Sequence, residues 1–588
     1  MNARQFGARP TADGVSFRLW APAAERVDLL LDRPHAMHRG ADGWFVAEIA
    51  HLAAGAHYRF RIDDEIDVPD PASAFQPEDV FGPSEVIDHD AYPWRASGWR
   101  GRPWHETVLI ESHVGTFTEQ GTFRAVIDKL DHLVETGITA LELMPLADFA
   151  GSRNWGYDGV LWYAPDSAYG RPEDLKALID AAHLRGLMVF LDVVYNHFGP
   201  EGNYLGRYAP AFFTRAHTPW GSAIDYRVPQ VRAFAIENAL SWLRDYRFDG
   251  LRLDAVNAII EPGDIPILHD LSIAVGKLAA ESGRHIHLVL ENGDNCASLL
   301  DAAQDPPRGQ YRAQWNDDYH HAWHVLLTGE SQGYYGDYQR SPVSDLARAL
   351  SSGFVYQGET APFWGSKPRG EPSGALAPTA FVNFLQNHDQ IGNRALGDRL
   401  ESGTEAKAIE AALAITLLAP MVPMLFMGEE WGSRQPFLFF CDFHGDLADA
   451  VRRGRRLEYA WAYDRYGDEV PDPLAPATLQ ACILDWPSCH ASPGRKRLAW
   501  VRDLLAVRTR EIVPRLAGAT FGEAQAADAG LLTAHWRMGD GATLRLAANL
   551  SSRKIERPPG ATAGMPIWGD TAGDHMPPWS VCWRLQPS

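Results

Sequence analysis

The amino-acid sequence predicts a multidomain chain, with a central (β/α)8 TIM barrel, an N-terminal β-sandwich and a C-terminal antiparallel β domain. Three observations lead to this fold class. The chain has 588 residues, too many for one compact core. Through the middle of the chain, short apolar strands alternate with amphipathic helices, which is the pattern of parallel βα units. At both ends, short alternating runs are separated by glycine or proline turns, which is typical of antiparallel sheets.

We place the domain boundaries where these patterns change. Residues 1–94 form the predicted sandwich, of the immunoglobulin-like or carbohydrate-binding type, 95–512 the barrel and 513–588 the C-terminal domain. The alternating runs of the two end domains lie at 15–20, 26–31, 44–49, 57–62, 531–536 and 544–550. Within the barrel, a stretch at about 198–227 is rich in Gly, Tyr, Phe and Pro. Because it is too long for a plain loop in a compact domain, we expect an excursion over the face that carries the chemistry.

Eight barrel strands are predicted in chain order, and the sixth has the weakest pattern. They lie at 108–114, 140–145, 188–194, 248–256, 287–292, about 321–327, 381–389 and 422–428. The segments between them place apolar residues at helical spacing. One such helix runs from Phe123 to near Gly137, and a later one begins at Pro172 and ends at Gly186.

Composition and charge narrow the classes of function. The proportions of hydrophobic (46%) and charged (22%) residues are ordinary for a folded protein, and the net charge of −21 argues against nucleic acid or an anionic membrane as a partner. The five cysteines follow no pairing pattern, and the N-terminus has no apolar signal segment. We therefore expect reduced thiols and a cytoplasmic location. No apolar run approaches the length of a membrane span.

The stretch 248–256 is the one around which the site is organised. Its apolar residues suit a strand that is buried on both faces, and Gly250 is expected to let the chain turn out of the preceding helix. Arg252 and Asp254 then stand at its carboxyl end, the end at which barrels carry out chemistry. The alternative interpretation is an Arg–Asp pair that merely satisfies itself in the core.

Three acidic residues, Asp254, Glu291 and Asp389, follow three different predicted strands and should converge at one mouth of the barrel. Burying three carboxylates together is costly, because like charges and desolvation raise their pKa values. Glycoside cleavage needs such a set, with one protonated acid and one ionised nucleophile. Arg252, on the same strand face as Asp254, would keep that carboxylate ionised.

Two other interpretations compete with a glycosidase site. The acids could be unrelated residues at strand ends that cap helices. Asp192, Asn196 and His197 could also hold a metal ion, but the spacing of metal-ligating residues does not support a tight site.

Four short segments resemble the conserved regions of the α-amylase superfamily, glycoside hydrolase family thirteen. They are 192–197, 250–254, the acid at Glu291 and 387–389. Several longer segments are most similar to the subfamily that releases trehalose from maltooligosyltrehalose, namely 68–73, 81–86, 113–117, 154–159 and 314–321. The resemblance covers nearly the whole chain, from about Phe6 to the C-terminal domain.

The resemblance implies hydrolysis of the α-1,4 bond beside the terminal trehalose unit, with retention of configuration. Asp254 would be the nucleophile, Glu291 the general acid/base and Asp389 the stabiliser of the transition state. The implied substrate contacts are Tyr157, His197, Arg252, Asn257, Trp315, Asp317, His320, His388, Gln390 and Asn393. The stretch 291–295 departs from the family pattern just after the acid, which puts the contacts of that loop in doubt.

The resemblance implies an α-glucan substrate. The chemistry requires no cofactor and we expect no metal, since nothing in the sequence requires the calcium that is common among the amylases. A maltooligosyltrehalose synthase is the pathway partner expected of the family. Two rival functions remain: an α-glucan branching or debranching enzyme of the same superfamily, and a non-catalytic glucan-binding protein. The second is disfavoured by the presence of all three carboxylates.

Overall fold

A closed barrel of eight parallel strands forms the centre of the chain, as the sequence predicts. The computed structural model describes residues 4–218, 220–260, 266–301, 311–527, 530–560, 562–569 and 573–588. The barrel strands are β1 (Leu109–Ser112), β2 (Ala140–Leu143), β3 (Met188–Val193), β4 (Gly250–Leu253), β5 (His287–Leu290), β6 (Ala313–Trp315), β7 (Phe381–Phe384) and β8 (Val422–Phe426). All eight are fully buried, which explains why they read as apolar runs rather than alternating ones.

Helices surround the barrel and connect its strands. They are α1 (Val114–Phe117), α2 (Phe123–Ile127), α3 (Leu130–Thr136), α4 (Pro172–Leu184), α5 (Leu205–Tyr208), α6 (Pro229–Asp245), α7 (Ile267–Ser282), α8 (Asp317–Thr328), α9 (Pro342–Ser352), α10 (His388–Gly392), α11 (Ala406–Leu418), α12 (Gly445–Glu458), α13 (Ala460–Tyr466), α14 (Pro476–Cys482) and α15 (Gly494–Val507). The helix predicted from Phe123 is divided into α2 and α3, and Gly137 ends α3 in the left-handed conformation, with φ +100°. Within the described residues, no helix is long and apolar enough to cross a bilayer.

The predicted sixth strand at 321–327 is wrong, because that segment lies in α8. The actual strand β6 has only three residues and comes just before it. The side chain of Asn316 accepts a hydrogen bond from the backbone N–H of Tyr319 and so caps the helix, and two aspartates occupy its first turn. An apolar run of this length fits a strand and a buried helix equally well.

Gly250 has a different role from the predicted one. The left-handed residue between α6 and β4 is Arg247, with φ +62°. A Cβ atom on Gly250 would lie 2.2 Å from Cε1 of Phe190 and 2.6 Å from the carbonyl oxygen of His287. Glycine is therefore required here so that β4 can pack closely between its two neighbours.

Antiparallel sheets form at both ends of the chain. The N-terminal strands are Gly7–Pro10, Gly14–Trp20, Val27–Leu30, Pro34–Ala36, His38–Arg39, Trp44–Ala50, His57–Ile62, Ile66–Val68 and Ser84–Glu85. The C-terminal five-stranded sheet contains Thr520–Ala527, Leu531–Arg537, Thr543–Asn549, Met565–Trp568 and Ser580–Gln586. Two stacked tryptophans fix this sheet to the barrel: Trp536 donates its indole N–H to the carbonyl of Leu350 in α9 (2.9 Å), and Trp583 donates to Ala414 in α11 (3.1 Å).

The excursion after β3 contains α5 and a hairpin of Phe213–Thr218 and Gly221–Ile224. Two further two-stranded sheets lie outside the barrel, Ala147–Asp148 with Leu161–Pro165 and Glu359–Ala361 with Lys367–Arg369. A last short pair, Ile555–Glu556 with His575–Met576, belongs to the C-terminal region. All five cysteines are free.

Candidate active site

The three predicted acids lie beyond the carboxyl ends of barrel strands. Asp254 directly follows β4, and Glu291 directly follows β5. Asp389 is the second residue of α10, five positions after the end of β7, so the predicted extension of that strand to 389 is not formed. Ala255, in the left-handed conformation (φ +38°), turns its backbone N–H onto Oε2 of Glu291 at 2.9 Å.

One buried guanidinium, that of Arg252, joins the acids of this mouth. Its Nη1 lies 2.9 Å from Oδ1 of Asp254 and 2.7 Å from Oδ2 of Asp192, and its Nη2 lies 2.7 Å from Oε2 of Glu291. The ring of Trp315 lies beneath it, 4.2 Å from the guanidinium carbon to the ring centroid. Asp254 and Glu291 therefore share one cation and are held on the same side of the barrel mouth.

The number of acids in the mouth exceeds the positive charge available to them. Burial raises the pKa of Glu291 even though Arg252 opposes the shift, and burial also raises the pKa of Asp389. Burial raises the pKa of Asp192 to about 7, and burial together with Glu291 raises that of Asp317 to about 8. Some of these carboxyls are therefore protonated at neutral pH, so the mouth can offer both an acid and an ionised group.

Tyr157 and His388 form a stacked pair at the mouth. The ring centroids are 5.0 Å apart, and the Tyr157 hydroxyl donates a 2.6 Å hydrogen bond to Oδ2 of Asp192. Nδ1 of His388 pairs with Glu111, whose second oxygen accepts the backbone N–H of His388 at 2.9 Å. Burial alone would lower the pKa of His388, but the Glu111 carboxylate outweighs it and the pKa is raised. His388 is thus held as a cation, with Nε2 as its remaining donor.

Four other predicted contacts lie around these residues. Asp317 begins α8 and interacts electrostatically with Glu291 and Asp389. The other three carry side-chain amides. Asn393 donates to Oδ1 of Asp389 (2.5 Å), and Gln390 accepts from the hydroxyls of Tyr334 (2.9 Å) and Tyr335 (3.2 Å). The exposed Asn257 accepts a hydrogen bond from the backbone N–H of Gly293 (3.2 Å). Their contact with a substrate stays a prediction.

Two further predicted substrate contacts are held by protein groups. Trp315 is 1% exposed and lies under Arg252, so its ring supports the guanidinium. His320 is also 1% exposed, and its two ring nitrogens are occupied by the carbonyl of Leu385 (2.6 Å) and the hydroxyl of Tyr335 (3.0 Å). Their contact with a substrate stays a prediction.

The three candidate metal ligands, Asp192, Asn196 and His197, form hydrogen bonds or ion pairs with protein groups. His197 pairs through one ring nitrogen with Asn196 and through the other with the carbonyl of Tyr157 (2.9 Å). Asn196 donates to Oδ2 of Asp254 at 2.9 Å, and Asp192 contacts Arg252. Among the described residues, no group of three histidines, cysteines or acids is arranged to hold a metal ion.

Sequence reasoning missed two buried acids inside the barrel. Glu111 in β1 and Glu142 in β2 are direct neighbours in the strand register, and each is 1% exposed. Glu142 has no hydrogen-bond partner among the described residues, and burial together with Glu111 raises its pKa well above the ordinary value. The available signal was a single charged residue in each of two otherwise apolar strands.

Three family models match successive parts of the chain. Residues 5–75 match "Carbohydrate-binding module 48 (Isoamylase N-terminal domain)", residues 96–210 match "Alpha amylase, catalytic domain", and residues 519–583 match a "Domain of unknown function (DUF3459)".

Named relatives resemble the chain over most of its length. It is 42% identical to a malto-oligosyltrehalose trehalohydrolase of Deinococcus radiodurans over 517 residues, covering 87% of this chain and 84% of the relative. Identity to the enzyme of the same name from Mycobacterium tuberculosis is 41%, covering 84% and 86%, and to that from Saccharolobus solfataricus 40%, covering 82% and 83%.

Solved structures also resemble the chain over its whole length. A crystal structure from Salmonella typhimurium, described as a candidate alpha amylase, is 46% identical, with a TM-score of 0.93 and full coverage of both chains. A pullulanase from Paenibacillus barengoltzii shares the fold at 18% identity, with a TM-score of 0.73, covering 100% of this chain and 96% of the pullulanase.

Proposed function

Because the chain belongs to the malto-oligosyltrehalose trehalohydrolase family of the α-amylase superfamily, we propose that it hydrolyses the α-1,4-glucosidic bond next to the terminal trehalose of maltooligosyltrehalose. The products are trehalose and a shortened maltooligosaccharide. The observation that carries this proposal is 42% identity over 517 residues to a relative of that name. The carboxyl-rich mouth around Arg252 supplies the chemistry that such a reaction needs.

In the proposed mechanism, Asp254 attacks the anomeric carbon of the glucan while Glu291 protonates the oxygen of the departing trehalose. Water then attacks the glycosyl-enzyme ester, with Glu291 acting as the base, so the configuration is retained and the two carboxyls should lie about 5–5.5 Å apart. The raised pKa of Glu291 supports its role as the acid. Arg252 and Asn196 both bind the carboxylate of Asp254 and fix its orientation for attack.

Asp389 and the stacked pair of Tyr157 and His388 would hold the sugar whose bond is cut. Tyr157 offers a ring face, and His388 offers a charged donor at Nε2. Asp389 would stabilise the positive charge that develops at the anomeric centre. Asp317, Gln390 and Asn393 lie where they could recognise the trehalose end.

The pathway partner and the cellular location are finer proposals. A maltooligosyltrehalose synthase would supply the substrate, and five free cysteines favour a cytoplasmic location.

Product analysis tests the proposal. The purified protein is given maltotriosyltrehalose and, separately, maltopentaose. We expect free trehalose from the first and little cleavage of the second. Ready cleavage of both would retain a retaining glucan hydrolase but remove the trehalose specificity, and cleavage of neither would favour a glucan-binding protein.

An Asp254→Ala variant provides the matched control. We expect turnover to be abolished while glucan binding persists, and turnover at the wild-type level would end the hydrolase assignment.

A branching activity is the second candidate, because a Corynebacterium jeikeium branching enzyme is 32% identical over 471 residues. The chain covers only 62% of that enzyme, which makes this candidate weaker. A branching enzyme would create α-1,6 linkages in amylose, and we expect none.

A further inference from the structure

A cavity of about 220 Å³ lies at the end of the barrel opposite the mouth that holds the acids. The residues that line it come just before barrel strands: Arg100 precedes β1, Arg247 precedes β4 and Arg284 precedes β5. Since the amino ends of parallel strands share one end of a barrel, these side chains meet there. Arg244, at the end of α6, is the fourth arginine of the lining.

Only part of this positive charge is neutralised. Arg244 pairs with Asp245 at 2.9 Å. Arg284 lies 3.3 Å from Asp249, a carboxylate that also contacts His183 at 2.8 Å.

The other two guanidiniums of the lining lack such partners. Arg100 is exposed and donates to the carbonyls of Ser97 (3.1 Å) and Trp99 (2.9 Å). Within the described part of the chain, neither Arg100 nor Arg247 forms an ion pair with a carboxylate. Arg247 interacts electrostatically with the carboxylate of Asp180, which itself pairs with Arg95, so both guanidiniums that line the cavity remain free to bind an anion.

Two features of Arg247 are energetically unfavourable, its backbone conformation and the partial burial of its charge. Its backbone is left-handed (φ +62°), a conformation that glycine or asparagine adopts more cheaply. Burial, with Arg284 and Arg100 nearby, lowers the pKa of its guanidinium. The side chain is fixed over the ring of Trp94, 4.4 Å from the centroid. A strained residue that presents an unpaired charge to a cavity is typical of a functional site.

We propose that this cavity binds an oxyanion of the phosphate class, of the size of inorganic phosphate or diphosphate. Guanidinium groups bind phosphate through pairs of parallel hydrogen bonds, and two unpaired guanidiniums match its charge. A cavity of about 220 Å³ has room for an ion of this size. The neutral glucan binds at the other end of the barrel, so the two ligands do not compete. This proposal does not depend on the proposed hydrolase function.

Isothermal titration calorimetry of the full chain tests it, with sodium phosphate and sodium diphosphate in separate titrations at constant ionic strength. We expect saturable binding of at least one anion at a single site. Arg247→Asn, which suits the left-handed backbone, and Arg100→Gln should each weaken it by about tenfold or more, because a charge-assisted hydrogen-bond pair is lost. Arg9→Asn, at an exposed position on the N-terminal sheet, is the matched control and should leave binding unchanged.

Two results would overturn the proposal. One is the absence of saturable heat from either anion at millimolar concentration. The other is binding that both pocket variants retain at the wild-type affinity, because the anion would then lie elsewhere. Circular dichroism of the two variants establishes that they are folded, and the use of two separate positions ensures that misfolding of one does not decide the outcome.

Discussion

Replacing Glu111 with glutamine isolates the charge that holds His388 as a cation. The carboxyl is 1% exposed and binds both Nδ1 and the backbone N–H of His388, so glutamine keeps the shape and one neutral hydrogen bond. Hydrogen bonds to charged groups contribute about 1.5–3 kcal/mol, against about 1 kcal/mol for neutral ones. We therefore expect the free energy of unfolding to fall by about 2 kcal/mol at weakly acidic pH.

The effect should depend on pH in a defined direction. Because the pKa of His388 is raised in the folded protein, its stabilisation is complete below about pH 6.5, the value for an unperturbed histidine, and is lost as pH rises through the higher folded value. Urea unfolding at a series of pH values should thus show a difference between wild type and Glu111→Gln that is largest in weak acid and shrinks in alkali.

Activity gives an independent measurement of the same pair. In metal sites, loss of the partner that orients a ligating histidine lowers activity by about 10–100-fold. Since Glu111 orients His388 in a similar way, we expect kcat/KM on maltotriosyltrehalose to fall by about 10–100-fold. The matched control is Glu142→Gln, at the register-paired position of β2. Burial, with Glu111 beside it, raises the pKa of its carboxyl well above the ordinary value, which favours the neutral form, so a neutral glutamine should change little. A loss of stability that is independent of pH, or equal losses in the two variants, would refute this reasoning.

Three further outcomes test the site and the barrel. Glu291→Gln should lose turnover on the natural substrate far more than it loses folding stability; equal loss of both would indicate a structural carboxyl. Since burial raises the pKa of Glu291, wild-type kcat should decline as pH rises through that value and the acid ionises, and a flat alkaline limb would contradict its role as the acid. Gly250→Ala should destabilise the chain by about 1–3 kcal/mol in urea unfolding, because the new methyl lies 2.2 Å from Phe190. Adding Phe190→Leu should recover part of that loss, and no recovery would place the strain elsewhere.

The sequence was sufficient for the barrel, because seven of its strands are apolar runs bounded by helices. The remaining strand, β6, was not predicted, for a physical reason. Its three residues are too few to show a period, and the apolar part of α8 resembles a strand. The pair of aspartates after Asn316 was the signal that a helix begins there.

The site was predicted less completely than the fold. Positions after strands identified Asp254 and Glu291, since the carboxyl ends of barrel strands meet at one mouth. Which groups share Arg252 depends on distances across the barrel, which no local pattern contains. For the same reason, the sequence could not show that the ring of Trp315 lies under Arg252 or that His320 binds the carbonyl of Leu385.

The two tryptophans of the C-terminal sheet make that sheet part of the catalytic domain's folding unit. Trp536 and Trp583 stack on each other, and each donates a hydrogen bond to a carbonyl of a barrel helix. A chain truncated after 512 would lose both hydrogen bonds and leave the apolar sides of α9 and α11 uncovered. Shortening the protein there should therefore yield an aggregating product rather than a smaller enzyme, and the barrel and the sheet should melt in one cooperative transition.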